Sequence, residues 1–461
     1  MASGGVAVGV IQLAVGSGQW ASELPNEPER RDCRPQITQI TQIYGTGSRS
    51  ELGRFCPALE WLTALKICVI CVICGPKGGI RDEDTVAFPP NSLYRARMNL
   101  DTALLQRIPK VLLHEHLDGG LRPATVIALA KDCGYHGLPT DDAAELGAWF
   151  HRGANKGSLP EYLEGFAHTC AVMQTRAAIE RVAFEFIEDM HEDGVVYAES
   201  RFAPCFHLER GLTPEAVVQA ALDGFRRGEE MYGVRWGLII CGMRHRTDSL
   251  EWAELAIDFR DRGVVGFDLA GEESGYPPKK HADAFQAIQR ANFFSTLHAG
   301  EAFGVASIWQ ALQMCGAHRL GHATRLADDM HVVDGKITHL GSLAQYVLDR
   351  RIPLEMCLSS NVHTGAVRSM AEHPFKMYHD RGFRVTINTD DRLMSDTTMT
   401  KEFAIAVEQF GLGLGDLEKV TINAMKSAFI HFDERLRLIY DVIKPGFSAV
   451  KHTDDSSVSS R

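Results

Sequence analysis

Eight short apolar or β-branched runs recur along the chain from Pro109 onward, and this recurrence constrains the fold more than any other feature. They are VLLHEH at 111–116, GVVYAESRF at 194–202, VRWGLIICGM at 234–243, VVGFDLA at 264–270, FFSTLHA at 293–299, HRLGHA at 318–323, IPLEMCL at 352–358 and FRVTINT at 383–389. Most intervals are about 25 to 40 residues and carry helical spacing, the repeat of a βα unit with parallel strands. AAIERVAFEFIEDMHED at 177–193 is one example. Eight such units predict an α/β fold, a closed (β/α)8 barrel of the TIM type. The first interval is much longer, so extra helices between residues 121 and 190 are expected over the C-terminal mouth.

The barrel is expected over residues 98–445, preceded by an extension at 1–97 and followed by a flexible tail at 446–461, where VKHTDDSSVSSR is polar. In the extension, Gly, Ser, Thr, Gln and Pro interrupt every apolar stretch, so a low-complexity, poorly ordered segment is expected. Translation starting at Met98 is an open expectation, and mass spectrometry of the natively expressed N-terminus tests it. Cys68, Cys71 and Cys74 resemble part of an iron–sulfur run but lack the fourth cysteine followed by proline. The run WLTALKICVICVICG is interrupted by Lys66 and falls short of the roughly 20 residues needed to span a bilayer. No basic region precedes the first apolar stretch, as a secretion signal requires. Six of the eleven cysteines are scattered singly beyond Met98, which suits reduced thiols and a cytoplasmic protein. A net charge of −11 argues against nucleic-acid and membrane partners, which require a basic face.

The chemistry-bearing residues fall where the runs end. His114 and His116 are two apart, so in a strand both imidazoles face the barrel interior, with Asp118 next on that side. His298 in LHAGE, His322 in LGHA, and Asp390 and Asp391 in NTDD lie at later run ends. A barrel gathers those ends on one rim, where active sites lie. Imidazoles with a carboxylate and no cysteine favour a divalent first-row ion, with zinc the expected one. The expected ligands are His114, His116, His298 and Asp390, completed by water. The fourth run, VVGFDLAGEE, lacks a lysine to form a bridging carbamate, so one ion per chain is expected. If the strand continues through Asp390 and Asp391, one faces metal and the other substrate.

Together, HEHLDGG, DLAGEE, LHAGE, LGHA, LSSNVHTG and NTDD resemble the metal-dependent adenosine deaminase family in order and spacing, over roughly Ile108 to Ile443. The resemblance implies a mononuclear zinc barrel of purine salvage that converts adenosine and deoxyadenosine to inosine and deoxyinosine, releasing ammonia. It implies that Glu301 gives a proton to purine N1 and that His322 orients and deprotonates the attacking water. Gly271 would donate its amide to N3, Asp391 would meet N7, and Asp118 would take the ribose 5′-hydroxyl, with His116 also beside the substrate. SLPEYLEGF resembles the family's lid, with Leu159, Tyr162, Leu163 and Phe166 as apolar candidates, although their spacing fits ordinary core equally well. Glu301 must hold its proton before transfer, which requires a raised pKa. Asp268 is read as a buried structural carboxylate, and Ser359, Ser360 and Thr364 as loop supports. Arg392 stands where many relatives have proline, placing a guanidinium near the rim.

The expected partner is a small-molecule purine nucleoside, with oligomeric state left open. A 5′-phosphate would meet the charge of Asp118, which disfavours AMP. Adenine deamination is the alternative activity, followed by deamination of another adenine nucleoside. A silent zinc barrel that binds adenosine is the non-enzyme alternative. The other zinc deaminase class carries P-C-x-x-C, which is absent here.

Overall fold

The computed structural model describes residues 100–458, with side chains as far as Lys451. The expectations for residues 1–97, including the Cys68, Cys71 and Cys74 run and the start at Met98, lie outside the described residues. Eight parallel strands form the barrel: β1 (Lys110–Leu112), β2 (Val195–Phe202), β3 (Arg235–Met243), β4 (Val264–Ala270), β5 (Thr296–Ala299), β6 (Arg319–His322), β9 (Pro353–Met356) and β10 (Arg384–Ile387). They pair as two four-stranded sheets, in the orders β1-β2-β3-β4 and β10-β9-β6-β5. Parallel bridges close both seams, Phe267 to Ser295 on one side and Glu115 to Asp390 on the other.

The strands are buried along nearly their whole length. Helices cover the outside of the sheet and side chains fill the inside, so parallel strands read as continuous apolar runs instead of alternating ones. Helix starts follow local chemistry. The Thr175 side chain accepts from Ala178 N–H before Arg176–Glu192, and Thr213 accepts from Ala216 N–H before Pro214–Tyr232, each satisfying an otherwise orphaned first-turn donor. The long first interval contains helices Pro123–Cys133, Ala143–Ala154, Leu159–Leu163 and Phe166–Val172. The last two line the cavity at the barrel mouth. Among the described residues, no helix is long and apolar enough to cross a membrane, and all six cysteines are free.

Two local expectations change, and one element was not foreseen. The regular part of the first strand ends at Leu112, so His114 and His116 lie on an irregular continuation and Asp118 on the 3-10 turn Leu117–Gly119. An antiparallel hairpin, β7 (Met330–Val333) with β8 (Lys336–Leu340), stands outside the barrel; it turns at Asp334 and Gly335, both with positive φ, the backbone that an Asp-Gly hairpin supplies. The polar tail expected from residue 446 is instead part of helix Lys444–Val458. Phe447 and Val450 on that helix are buried in the core, and these apolar anchors outweigh the polar composition beyond them.

Candidate active site and metal centre

The seam that closes the barrel also assembles the centre. His116 N–H donates to the Asp390 carbonyl at 2.7 Å, and Asp390 N–H donates to the His114 carbonyl at 3.0 Å. Strand β10 has already ended at Ile387, and Asp390 adopts φ +64°. The inward aim of its carboxylate therefore comes from a left-handed turn rather than from strand alternation. Ligand atoms of His114, His116, His298 and Asp390 lie within 4.8 Å of one another. His114 Nε2 is 3.1 Å from His298 Nε2 and 3.0 Å from Asp390 Oδ1. His116 Nε2 is 3.2 Å from His298 Nε2 and 3.6 Å from Asp390 Oδ1.

The remote nitrogens show why a cation fits there. His114 Nδ1 lies 2.7 Å from Glu355 Oε2, and His298 Nδ1 lies 3.0 Å from Asp268 Oδ2. A carboxylate held ionised only accepts, so Nδ1 of both rings carries a hydrogen, and in the neutral rings that a metal requires both Nε2 lone pairs would face each other and Asp390. Arg201 joins the two carboxylates, at 2.8 Å to Asp268 and 2.9 Å to Glu355. Arg319 joins Glu355, at 2.5 Å, to Glu199, at 2.6 Å. Burial opposes the ionisation of Glu355, Asp268 and Asp390, but these guanidinium and imidazole neighbours hold all three well below the usual carboxylate range. Three carboxylates thus share two guanidinium groups, and Asp390 adds a fourth carboxylate, so that two negative charges are left for a divalent cation to neutralise.

Gly321 separates two of the candidate ligands: a Cβ there would lie 3.0 Å from His114 Cε1 and 3.1 Å from the His298 Cα. The next two residues, His322 and Ala323, both take left-handed φ values, +61° and +53°, a backbone conformation costing roughly 1–2 kcal/mol per residue. That turn aims His322 at the cavity, with Nε2 3.7 Å from Glu301 Oε2. A buried chain sets its tautomer. Phe375 N–H donates to His373 Nδ1 at 3.1 Å, His373 Nε2 meets Asn361 Oδ1 at 3.1 Å, and Asn361 Nδ2 meets His322 Nδ1 at 2.9 Å. A backbone amide only donates, so each link runs in one direction and neutral His322 carries its hydrogen on Nε2. Deprotonating a water at that nitrogen would require it bare.

Glu301 is carried on a loop whose backbone is gripped by one carboxylate, as Glu273 accepts the amides of Gly300, Glu301, Ala302 and Phe303 at 2.7 to 3.0 Å. Burial, then the charges of Asp390 and Glu273, push the Glu301 carboxyl up to about 8. Its Oε1 is buried without a hydrogen-bond partner. Burial followed by Asp390 and Glu115 raises Asp391 well above the usual range. Its Oδ2 accepts from Tyr162 at 3.0 Å, and its Oδ1 is buried without a partner.

These groups open onto a cavity of about 700 Å³, a volume suited to a small-molecule ligand. Asp118, Gly271, Leu159, Tyr162, Leu163 and Phe166 line it with Glu301, His322, Asp391 and the metal-ligand candidates. Gly271 holds φ +94°, which favours glycine strongly. Arg392 turns away from this cavity and binds Glu115 at 2.7 Å, Asp189 at 2.6 Å and the Gly120 carbonyl at 3.0 Å. Sequence reading missed Glu355, Arg201, Arg319, Glu273, Asn361 and His373; Ser360, read as a support, donates its Oγ hydrogen to Asp390 Oδ2 at 2.6 Å. The available signals were charged residues inside otherwise apolar strand runs, as with Glu355 in IPLEMCL, and the motifs DLAGEE and LSSNVHTG, which contain Glu273 and Asn361.

A family model described as adenosine deaminase matches residues 109–445. Adenosine deaminase 1 of Streptomyces coelicolor is 57% identical over 352 residues, 75% of this chain and 89% of that protein. Adenosine deaminase of Mycobacteroides abscessus is 53% identical over 356 residues, 76% of this chain and 98% of that protein. Among solved structures, an adenine deaminase from Arthrobacter aurescens matches with a TM-score of 0.64 and 25% identity, over 73% of this chain and 98% of that one. A closed parallel barrel, the histidine–carboxylate cluster at its rim and this extent of identity have one common account: the chain belongs to the adenosine deaminase family.

Proposed function

We propose that the protein is a zinc-dependent hydrolase, with one zinc per chain, that converts adenosine and 2′-deoxyadenosine to inosine and 2′-deoxyinosine with release of ammonia. The observation that carries this reading is the convergence of His114, His116, His298 and Asp390 beside a buried Glu301 whose Oε1 has no hydrogen-bond partner. Four of the donor pairs stand 3.0 to 3.6 Å apart, which supports one first-row ion held by these four residues with a water completing its shell. When bound, the metal makes a water acidic enough to serve as nucleophile near neutral pH.

The protein's own groups then divide the work. As the nucleophile adds to C6, electron density moves to N1, and Glu301, protonated below about pH 8, delivers its proton there. His322 orients the attacking oxygen through its Nε2 hydrogen. The proton that the water loses restores Glu301 through solvent, and the proton of the new C6 hydroxyl passes to the amino group as the C6–N bond breaks and ammonia leaves. Purine N7 is purely an acceptor, so a carboxylate facing it must carry a proton. The raised pKa of Asp391 supports that state, with Tyr162 occupying Oδ2 and Oδ1 left for N7. Gly271 offers its amide to N3. Leu159, Tyr162, Leu163 and Phe166 exclude water from the ring, while Asp118 accepts the 5′-hydroxyl.

Ammonia release from adenosine, deoxyadenosine, adenine and AMP, measured side by side, tests the reading. Turnover should be fast for the two nucleosides, slow for adenine and AMP, lost on chelation and restored by one equivalent of zinc. Faster release from adenine would transfer the activity to the free base, and no release at all would leave a silent nucleoside-binding barrel.

A further inference from the structure

A second group of potential ligands meets at the edge of the same cavity. Asp118 follows β1, Cys170 sits on helix Phe166–Val172, and His207 follows the turn Pro204–Phe206. Their ligand atoms lie within 4.8 Å of one another. His207 is fully buried, and its Nδ1 faces the Met173 carbonyl at 3.1 Å. A carbonyl only accepts, so Nδ1 carries a hydrogen, and in the neutral ring that a metal requires Nε2 would be a bare lone pair. That atom has no hydrogen-bond partner and faces Asp118 Oδ2 at 3.7 Å. Asp118 is 3% exposed, and its Oδ1 is also without a partner. An imidazole nitrogen and a carboxylate oxygen, both buried without hydrogen-bond partners, therefore meet beside a thiol. Buried polar atoms are seldom left so.

We propose that Asp118, Cys170 and His207 form a second site, selective for a thiophilic divalent cation of the zinc class, which closes the sugar end of the cavity when filled. The mixed sulfur, nitrogen and oxygen donor set suits zinc or cadmium and disfavours magnesium and calcium. Burial, with Asp118 and Cys205 next in effect, raises the Cys170 pKa well above its ordinary value. The thiol therefore enters protonated, and its proton passes to solvent as the sulfur–metal bond forms; no electron is exchanged. Asp118 cannot serve both the cation and a sugar hydroxyl, so excess zinc should inhibit in competition with the nucleoside. This last consequence rests on the adenosine reading, whereas the site itself does not.

The test is a Cd²⁺ titration of protein carrying one equivalent of zinc, reading near-ultraviolet thiolate-to-metal charge transfer, with both metals quantified after equilibrium dialysis. The expected result is one further ion per chain accompanied by the charge-transfer band and by release of one proton. The band should vanish in Cys170→Ser and persist in Cys205→Ser. Affinity should fall by about 10- to 100-fold in His207→Asn. Saturating inosine should weaken cadmium binding at least tenfold, and Mg²⁺ should not compete. A wild-type protein that takes up no further ion, or an undiminished band in Cys170→Ser, overturns the site. Cadmium binding indifferent to inosine overturns the shared use of Asp118. Failure to deaminate adenosine would appear separately, in ammonia release, and would leave the cadmium result standing.

Discussion

Replacing Glu355 with glutamine tests how the buried ion network supports the centre. Glu355 is fully buried and takes His114 Nδ1 at 2.7 Å, Arg201 Nη2 at 2.9 Å, Arg319 Nε at 2.5 Å and Thr296 Oγ1 at 2.9 Å. Glutamine keeps the shape, but it removes the charge and turns an NH₂ group toward donors. Loss of one partner from a buried ion network costs about 3–5 kcal/mol, whereas Thr296→Val removes one neutral hydrogen bond and should cost about 1 kcal/mol. Urea unfolding of the zinc-free proteins measures both. Glu355 also fixes the His114 tautomer, and loss of such an outer partner typically lowers metal affinity by about 10- to 100-fold, readable by chelator competition. Folding lowers the Glu355 pKa, so its stabilisation is present above the unfolded value and fades as pH falls toward the folded one. The stability gap between wild type and Glu355→Gln should therefore narrow on acidification below about pH 4.5. A variant with wild-type stability and wild-type chelator resistance would refute the account of the network.

Three further outcomes are expected. The kcat/KM for adenosine should fall on an alkaline limb near pH 8, where Glu301 loses its proton; Glu301→Gln should keep its zinc, lose about 10²- to 10⁴-fold in rate and lack that limb. Asp118→Ala should lower kcat/KM for adenosine by about 10- to 100-fold, the worth of one charged hydrogen bond, while barely changing adenine; equal losses on both would remove Asp118 from the sugar. Gly321→Ala should cost about 1–3 kcal/mol by overpacking and loosen the zinc, because its Cβ would crowd His114 and His298; unchanged chelator sensitivity would show that the ligands do not depend on that close approach.

The spacing of the strand runs was legible because each buried strand must be apolar on both faces, so the barrel announced itself eight times over. The candidate ligands were legible because His114, His116, His298 and Asp390 each sit at a run end in a short, ordered motif. The same local logic failed where backbone direction changed. A left-handed turn at Asp390, not strand alternation, separates the directions of Asp390 and Asp391, and Arg392 faces Glu115 and Asp189 rather than the cavity. Composition likewise mistook the start of helix Lys444–Val458 for a tail, because two buried apolar side chains decide that packing.

What required the tertiary structure is the company each group keeps. His114 meets Glu355 from 241 residues away, and Asn388 Oδ1 accepts from Leu113 N–H across 275. No periodicity records such pairs, since hydrogen bonding, charge and burial act through space and ignore sequence distance. The sequence by itself determined which side chains can bind a metal and carry protons. Folding decided which nitrogen holds each hydrogen and which carboxyl stays protonated, because low dielectric and neighbouring charge set those states only once the strands have closed.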